Sequence, residues 1–251
     1  MFSIEFAIGV TVLMFLSGLA GLGLQKLLPE HHTSDRSRDM IGGVVGLLTL
    51  LLALVLGLLI WTAYGVSTTQ QNELNLLSAR ALEYNLELIQ YGPEAKKGRD
   101  LLRTDLVWAH EQFWGEGDTQ AQAYEASYAN MSSVSGFLGS LKPENDMQRQ
   151  LLGAAGAHYA TIGETRLLMS LQLTNPISWP LLITVTAWSC LLFLGFGLLS
   201  RINAATLAAL ALGTISVGSA LFMILELSQP YTSLIRISPA GLEQVILDLD
   251  K

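Results

Sequence analysis

Long runs of uncharged apolar residues dominate the pattern of the chain. Residues 41–66 contain no ionisable side chain, and residues 6–24, 181–199 and 204–225 form three further apolar runs. A run of about 20 such residues is long enough to span the hydrocarbon core of a bilayer as an α-helix. The pattern therefore predicts an all-α integral membrane protein with four transmembrane helices.

The segment between the second and third runs is polar and has helical periodicity. It begins with an apolar seam at spacings of three and four, which predicts a helix that packs on a partner helix of the same subunit or of a neighbour. No cluster of Pro or Gly separates this helix from the second run, so we expect one continuous helix that ends at Gly92-Pro93. The seam consists of Leu74, Leu77, Ala81, Tyr84 and Leu88.

Three more helices are predicted in this segment. The first covers residues 94–114, and a weaker one covers about 119–131 after the break at Gly115-Glu-Gly117. A long helix begins after Lys142-Pro143 and ends at Asn175-Pro176. Its predicted apolar face consists of Met147, Leu151, Ala155, Tyr159 and Ile162.

These elements give a two-plus-two organisation. We predict a first transmembrane hairpin over residues 1–66, a soluble helical insert over 67–175, a second hairpin over 176–226 and a C-terminal tail over 227–251. The first run has no positively charged segment before it, since Glu5 is its only preceding charge. We therefore expect an uncleaved first helix rather than a signal peptide.

Composition and charge exclude several classes of protein. The chain of 251 residues is 51% hydrophobic and 14% charged, and its net charge of −7 argues against nucleic-acid binding. Cys190 is the single cysteine, so no disulfide framework is possible. His31-His32 lacks the spacing of a metal site, and no nucleophile–base pair or phosphate-binding loop is present. We therefore expect no enzymatic activity, no cofactor and no metal site.

Several segments along the chain form a set of motifs. They are Leu28-Pro-Glu-His-His-Thr-Ser-Asp, Ala53-Leu-Val-Leu-Gly-Leu-Leu59, Tyr91-Gly-Pro-Glu-Ala95 with Arg99 and Leu102-Arg103, Asn203-Ala-Ala-Thr206, and Ile224-Leu-Glu-Leu-Ser-Gln-Pro-Tyr231 with Ile237-Ser238. Together these motifs resemble the bestrophin-like membrane family of bacteria, and the resemblance covers nearly the whole chain. It departs from the family pattern at two places. Ser228 stands where the family usually has an acidic residue, and Tyr231-Thr-Ser233 replaces a Phe-x-Gly pattern.

The resemblance implies a homo-oligomeric ion channel, a pentamer by analogy, in the bacterial cytoplasmic membrane. Its partners would be the lipid bilayer and inorganic ions, and its pore would be lined by the second span. An apolar constriction of this kind can gate conduction by dewetting. A stripe that contains small residues can equally pack helix against helix. The implied pore face is Gly43, Gly46, Leu50, Ala53, Gly57, Ile60 and Tyr64.

Two further questions stay open at the level of sequence. The alternative to a channel is a membrane-anchored interaction or sensor module, in which the insert binds a partner and no ion is conducted. The orientation is also unresolved, because Lys26, Arg36, Arg38 and Arg201 favour short cytoplasmic loops under the positive-inside rule. The bestrophin resemblance implies the opposite side, with the termini and the insert in the cytoplasm.

Overall fold

The computed structural model describes residues 2–27, 35–115, 132–173, 179–231 and 233–250, and within these ranges the chain is helical without a strand. The all-α class was predicted from the sequence. A 3-10 turn at Pro93–Ala95 follows the second helix. The α-helices, numbered in chain order, are α1 (Phe2–Leu27), α2 (Asp35–Tyr91), α3 (Lys96–Trp114), α4 (132–140), α5 (Asp146–Leu173), α6 (Trp179–Leu199), α7 (Ala204–Leu227) and α8 (Ala240–Asp248).

Four of these helices, α1, α2, α6 and α7, are long and apolar enough to cross a membrane. Each contains one of the four predicted apolar runs and extends beyond it at one end or both. The short connection between α6 and α7 ends at Asn203, whose side chain accepts a hydrogen bond of 2.7 Å from the backbone N–H of Thr206. This N-cap satisfies one of the free donors of α7 and fixes where the helix begins.

Helix α2 is continuous over 57 residues, which corresponds to a length of about 86 Å. The prediction that the second span continues into the first helix of the insert is therefore confirmed. The helix ends where the sequence indicated, because Gly92 has a φ of 133° and Pro93 follows it. A side chain at position 92 would strain this backbone, so glycine is required at the turn.

The chain divides into two compact units, and α2 contributes to both. Unit 1 consists of Met1–Val66, Ile177–Ser228 and Ser233–Ile235. Unit 2 consists of Ser67–Pro176, Gln229–Thr232 and Arg236–Lys251. The apolar helices thus form one unit, and the predicted insert forms the other together with most of the C-terminal segment.

Unit 1 is built on a close crossing of α1 and α6, and α1 also packs on α7. Gly21 and Gly197 face each other at this crossing, since a Cβ added to Gly21 would lie 3.1 Å from the Cα of Gly197. The Ser17 hydroxyl donates a hydrogen bond of 2.7 Å to the backbone carbonyl of Cys190. Small residues therefore bring the two backbones together, as is common between membrane helices.

Unit 2 has a separate hydrophobic core formed by α2, α3, α4, α5 and α8. Residues Tyr231 and Ile237 also belong to it. The prediction of helices at 94–114 and after Lys142-Pro143 is confirmed by α3 and α5. The core forms because these helices are amphipathic, and each of them turns an apolar stripe inwards and a polar face outwards.

The structure differs from the sequence-based expectation in three places. Met147 is exposed although it was assigned to the apolar face of the long helix. The region predicted as a tail contains α8, whose Leu242 and Val245 are buried in the core of unit 2. Helix α4 was not predicted, and the weaker helix expected at 119–131 lies outside the described residues.

Candidate functional site

The predicted pore stripe lies on an open face of α2. Six of its seven residues are exposed on the single chain, and Ile60 is half-buried against the core of unit 1. Leu50 exposes 71% of its surface. A Cβ placed on Gly43, Gly46 or Gly57 would meet no atom within 4 Å among the described residues. The seven residues, in chain order, are Gly43, Gly46, Leu50, Ala53, Gly57, Ile60 and Tyr64.

The opposite face of α2 attaches the helix to the rest of unit 1. Leu52, Leu59 and Ala63 are buried with residues of α1, α6 and α7 in one hydrophobic cluster. Val45 is buried directly against Gly195 of α6, where a Cβ would overlap the Val45 side chain. One side of the helix is thus fixed, while the stripe on the other side is left free within the single chain.

The chemistry of the open stripe is entirely uncharged and almost entirely apolar. It supplies no ligand for an ion, so its possible contacts are acyl chains, another helix or a narrow water-filled path. The glycines are not used for packing against helices of the same chain, unlike Gly21 and Gly197. None of the described helices covers this face.

The predicted seam on the second half of α2 has the opposite environment. All five of its residues are buried to 2% exposure or less in the core of unit 2, beside Ala155, Tyr159 and Ile162 of α5. The Tyr84 hydroxyl donates a hydrogen bond of 3.2 Å to the backbone carbonyl of Gly98. The seam residues are Leu74, Leu77, Ala81, Tyr84 and Leu88.

A chain of polar side chains lies next to the seam and was not foreseen from the sequence. The Tyr231 hydroxyl donates to Gln70 Oε1 at 2.7 Å, and Gln70 Nε2 donates to Gln172 Oε1 at 2.6 Å. Gln172 Nε2 then donates to Glu73 Oε1 at 2.8 Å. Burial, and secondarily the charge of Glu73, raises the pKa of Tyr231. The tyrosine is therefore a neutral donor that closes the network.

Comparison with known proteins gives the family of the chain. A model of the bestrophin-like domain matches residues 12–242. The chain belongs to the bestrophin-like family. No curated protein matches the sequence significantly. The helical arrangement is nevertheless similar to solved structures that carry the same family name.

Three crystal structures of a bacterial bestrophin homologue from Klebsiella pneumoniae illustrate the likeness. One mutant form has a TM-score of 0.72 at 14% identity and covers 98% of this chain and 99% of its own. A second mutant has a TM-score of 0.69 at 14% identity with 97% of both chains covered. A form phased on zinc has a TM-score of 0.69 at 14% identity, with 96% of both chains covered. The bestrophin-like chain therefore has the fold of this homologue.

Charged groups among the described residues of unit 2 are mostly paired with one another. His158 has Nδ1 3.2 Å from a carboxylate oxygen of Glu83 and Nε2 3.2 Å from a carboxylate oxygen of Glu87. Asp105 and Arg166 form an ion pair with both side chains buried. Among the described residues no group of three His, Cys, Asp or Glu could hold a metal ion. His31-His32 lies outside those residues.

A cleft of about 540 Å³ opens in unit 2 between α4 and α5. Gly156, Ala160 and Leu167 contribute to its largely apolar wall, and Glu164 is its single ionisable carboxylate. Burial raises the pKa of Tyr159, which also lines it, so this phenol is neutral at physiological pH. The cleft contains no residue of the predicted stripe and offers no pair of groups suited to acid–base chemistry.

Glu226, close to the end of α7, makes a contact that the sequence does not reveal. In the structure it is buried, and it accepts hydrogen bonds from the backbone N–H groups of Leu234 and Ile235. The sequence gives one cue, since the acidic residue precedes the helix-stopping Pro230 by four positions and a chain reversal there can return backbone donors to it.

Proposed function

We propose that this bestrophin-like chain forms a homo-oligomeric ion channel in the bacterial cytoplasmic membrane. The path would be lined by the open face of the first half of α2. The observation that carries the proposal is this face, which is apolar, rich in small residues and exposed at every position except the half-buried Ile60, in a chain with the fold of a bestrophin homologue.

The mechanism follows from the chemistry of the stripe. A ring of identical subunits that each present Leu50, Ala53 and Gly57 to a common axis would enclose a path without charges or hydrogen-bonding side chains. Water leaves such a constriction readily, and an ion would have to lose its hydration shell in order to enter it. Conduction would therefore require the path to widen, and side chains that hold water would make opening easier.

The test is the current through the purified protein in a planar bilayer. Leu50→Ser and Ile60→Ser should raise the current, because a hydroxyl holds water in the constriction. Leu212→Ser is the matched control, since Leu212 is an equally apolar and similarly exposed residue of α7 at 68%. If the wild type and both stripe variants pass no ion, or if the control raises the current as much, the channel assignment fails.

The proposal includes four membrane crossings, so that the insert and the C-terminal segment lie on one side. Arg149 and Leu247 are exposed residues of unit 2 that can each carry a single cysteine in a Cys190→Ala background. An impermeant thiol reagent should label both from the same side of sealed vesicles. Labelling from opposite sides would remove the four-span arrangement, and the side that is labelled would fix the orientation.

One observation favours the alternative of an interaction or sensor module. Leu82, Leu86 and Ile89 are large apolar residues at helical spacing in the second half of α2, and all three are exposed on the single chain. A binding partner of the insert would cover them. A silent bilayer, together with a complex formed through this face, would favour the module over the channel.

A further inference from the structure

The last apolar helix ends in a buried carboxylate that holds a loop in place. Glu226 is the residue before the end of α7 and is 2% exposed. Its Oε2 accepts hydrogen bonds from the backbone N–H of Leu234 at 2.6 Å and of Ile235 at 3.2 Å. A buried charge is costly unless hydrogen bonds compensate it, and these two donors supply that compensation.

These two hydrogen bonds also fix where the loop lies. Because both join to Glu226, the backbone at Leu234 and Ile235 lies beside the last turn of α7. Residues 233–235 accordingly belong to unit 1, the unit of the apolar helices. Non-helical backbone is tolerated near the hydrocarbon only when protein groups satisfy its polar atoms, and the Glu226 carboxylate satisfies two N–H groups here.

Two side chains of the loop are exposed, while that of Ser233 is buried. Leu234 is 72% exposed and Ile235 is 49% exposed. Two adjacent large apolar side chains on a loop held by hydrogen bonds lose favourable burial energy in water. Helix α7 is apolar enough to span a bilayer, and the loop lies beside its last turn. At this level the boundary between headgroups and acyl chains would remove Leu234 and Ile235 from water.

We propose that residues 233–235 form a lipid-anchoring loop, in which Leu234 and Ile235 insert into the interfacial region of the bilayer. Glu226 is its positioning residue and makes no contact with lipid itself. The loop would fix the depth at which α7 ends. Its apolar side chains resist withdrawal into water, and the Glu226 carboxylate resists movement into the hydrocarbon. This inference holds whether or not the protein conducts ions.

The first experiment measures what surrounds position 234. Full-length Cys190→Ala protein with Leu234→Cys is labelled with an environment-sensitive fluorophore and reconstituted in phosphatidylcholine vesicles. Brominated acyl chains should quench the label strongly and aqueous iodide weakly. Leu212→Cys, on an exposed face of α7, is the lipid-facing control, and Arg149→Cys, on the polar surface of unit 2, is the water-facing control.

Two outcomes overturn the proposal. Quenching by iodide to the extent seen at Arg149→Cys means that the loop is in water. Protection from both quenchers means that protein covers the loop, either a second copy or another part of the assembly. A lipid-quenched label at position 234 supports the proposal even if bilayer recordings show no current, so the two proposals fail separately.

The second experiment tests the positioning role of Glu226. In the labelled background, Glu226→Ala removes the oxygen that accepts both hydrogen bonds, and the label at position 234 should become several-fold more accessible to iodide. Glu226→Gln keeps one carbonyl acceptor without the charge and should give an intermediate value; it carries the test if the alanine variant does not fold. Glu5→Ala, an exposed carboxylate near the start of α1, should change nothing. Unchanged quenching in both Glu226 variants would show that the carboxylate does not hold the loop.

Discussion

The two halves of α2 carry similar sequence patterns and have opposite surroundings. In the first half, a stripe from Gly43 to Tyr64 at spacings of three and four is open to the outside of the chain. In the second half, a stripe from Leu74 to Leu88 at the same spacings is completely buried. Periodicity identifies a face that differs from the rest of the helix in both cases, but it does not reveal what that face contacts.

The membrane arrangement proposed above would account for the difference. In water, each leucine of the seam gains about 1.5–3 kcal/mol on burial, which favours packing of the helices of unit 2 on it. In a bilayer an apolar face gains nothing by leaving lipid, and association depends on close packing through small residues. The stripe has those small residues, and within the described chain no helix packs on them.

The largest effect is expected at the buried seam. Leu77→Asp places a carboxylate in the core of unit 2 without a partner and should lower the free energy of unfolding by about 3–5 kcal/mol. Thermal unfolding followed by circular dichroism measures the loss, and the oligomer should also become less heat-stable. Leu86→Asp is the matched control, because Leu86 is on the same helix and 56% exposed. Equal effects of the two variants would show that the seam does not carry the stability of unit 2.

The open stripe should respond in conduction rather than in folding. Gly57→Leu would either fill the path or push neighbouring helices apart, and we expect the single-channel current to fall by about tenfold or more. Size-exclusion chromatography separates the two cases, since only the second breaks the oligomer. A variant with normal current and a normal oligomer would exclude Gly57 from both the path and the subunit contacts.

Substitutions of two glycines, one in a crowded and one in an open environment, should change stability by an intermediate amount. In Gly21→Ala the new Cβ would overlap the carbonyl oxygen of Leu194 in α6, which should cost about 1–3 kcal/mol. In Gly57→Ala the Cβ meets nothing within 4 Å, and helix propensity should stabilise the chain by up to about 1 kcal/mol. Melting temperatures of the two variants in detergent should therefore move in opposite directions. A marked loss for Gly57→Ala would reveal a tight helix contact on the stripe.

The last effect appears only at high pH and concerns the core of unit 2. The pKa of Tyr159 and of Tyr231 is raised by burial, so the unfolded chain loses these protons first as pH increases. Stability should be unaffected below about pH 10 and fall by about 1.4 kcal/mol per tyrosine for each pH unit above it. Unfolding midpoints between pH 9 and 11.5 measure the slope. Tyr231→Phe should reduce this slope, and at neutral pH it should cost about 1–2 kcal/mol because Gln70 loses its donor. An unchanged slope would mean that Tyr231 ionises freely in the fold.

The sequence was sufficient for the features that depend on local pattern. The four apolar helices, the continuity of α2 and its end at Gly92 follow from run length and from one glycine–proline pair. The burial of Leu74 to Leu88 was foreseen only as a seam, because periodicity does not say which helices cover it.

Features that depend on contacts between distant parts of the chain were not foreseen. The hydrogen bonds from the Tyr231 hydroxyl to Gln70 and from the Leu234 backbone N–H to Glu226 arise only when the segment after α7 folds back. Helix α8 was missed because it is only nine residues long and follows a stretch without a clear pattern. The open environment of Gly57 and the crowded one of Gly21 cannot be distinguished by residue type alone.

The position of α8 in the core has a consequence for the order in which the protein is made. Unit 2 begins at residue 67, yet Tyr231, Ile237 and Leu242 of its core come from residues that follow α6 and α7. These two apolar helices must be synthesised first. During that interval the nascent unit 2 exposes the side chains that these late residues cover, and it is then most open to chaperones and proteases. The core of this unit is therefore complete only after the segment that follows α7 has been made.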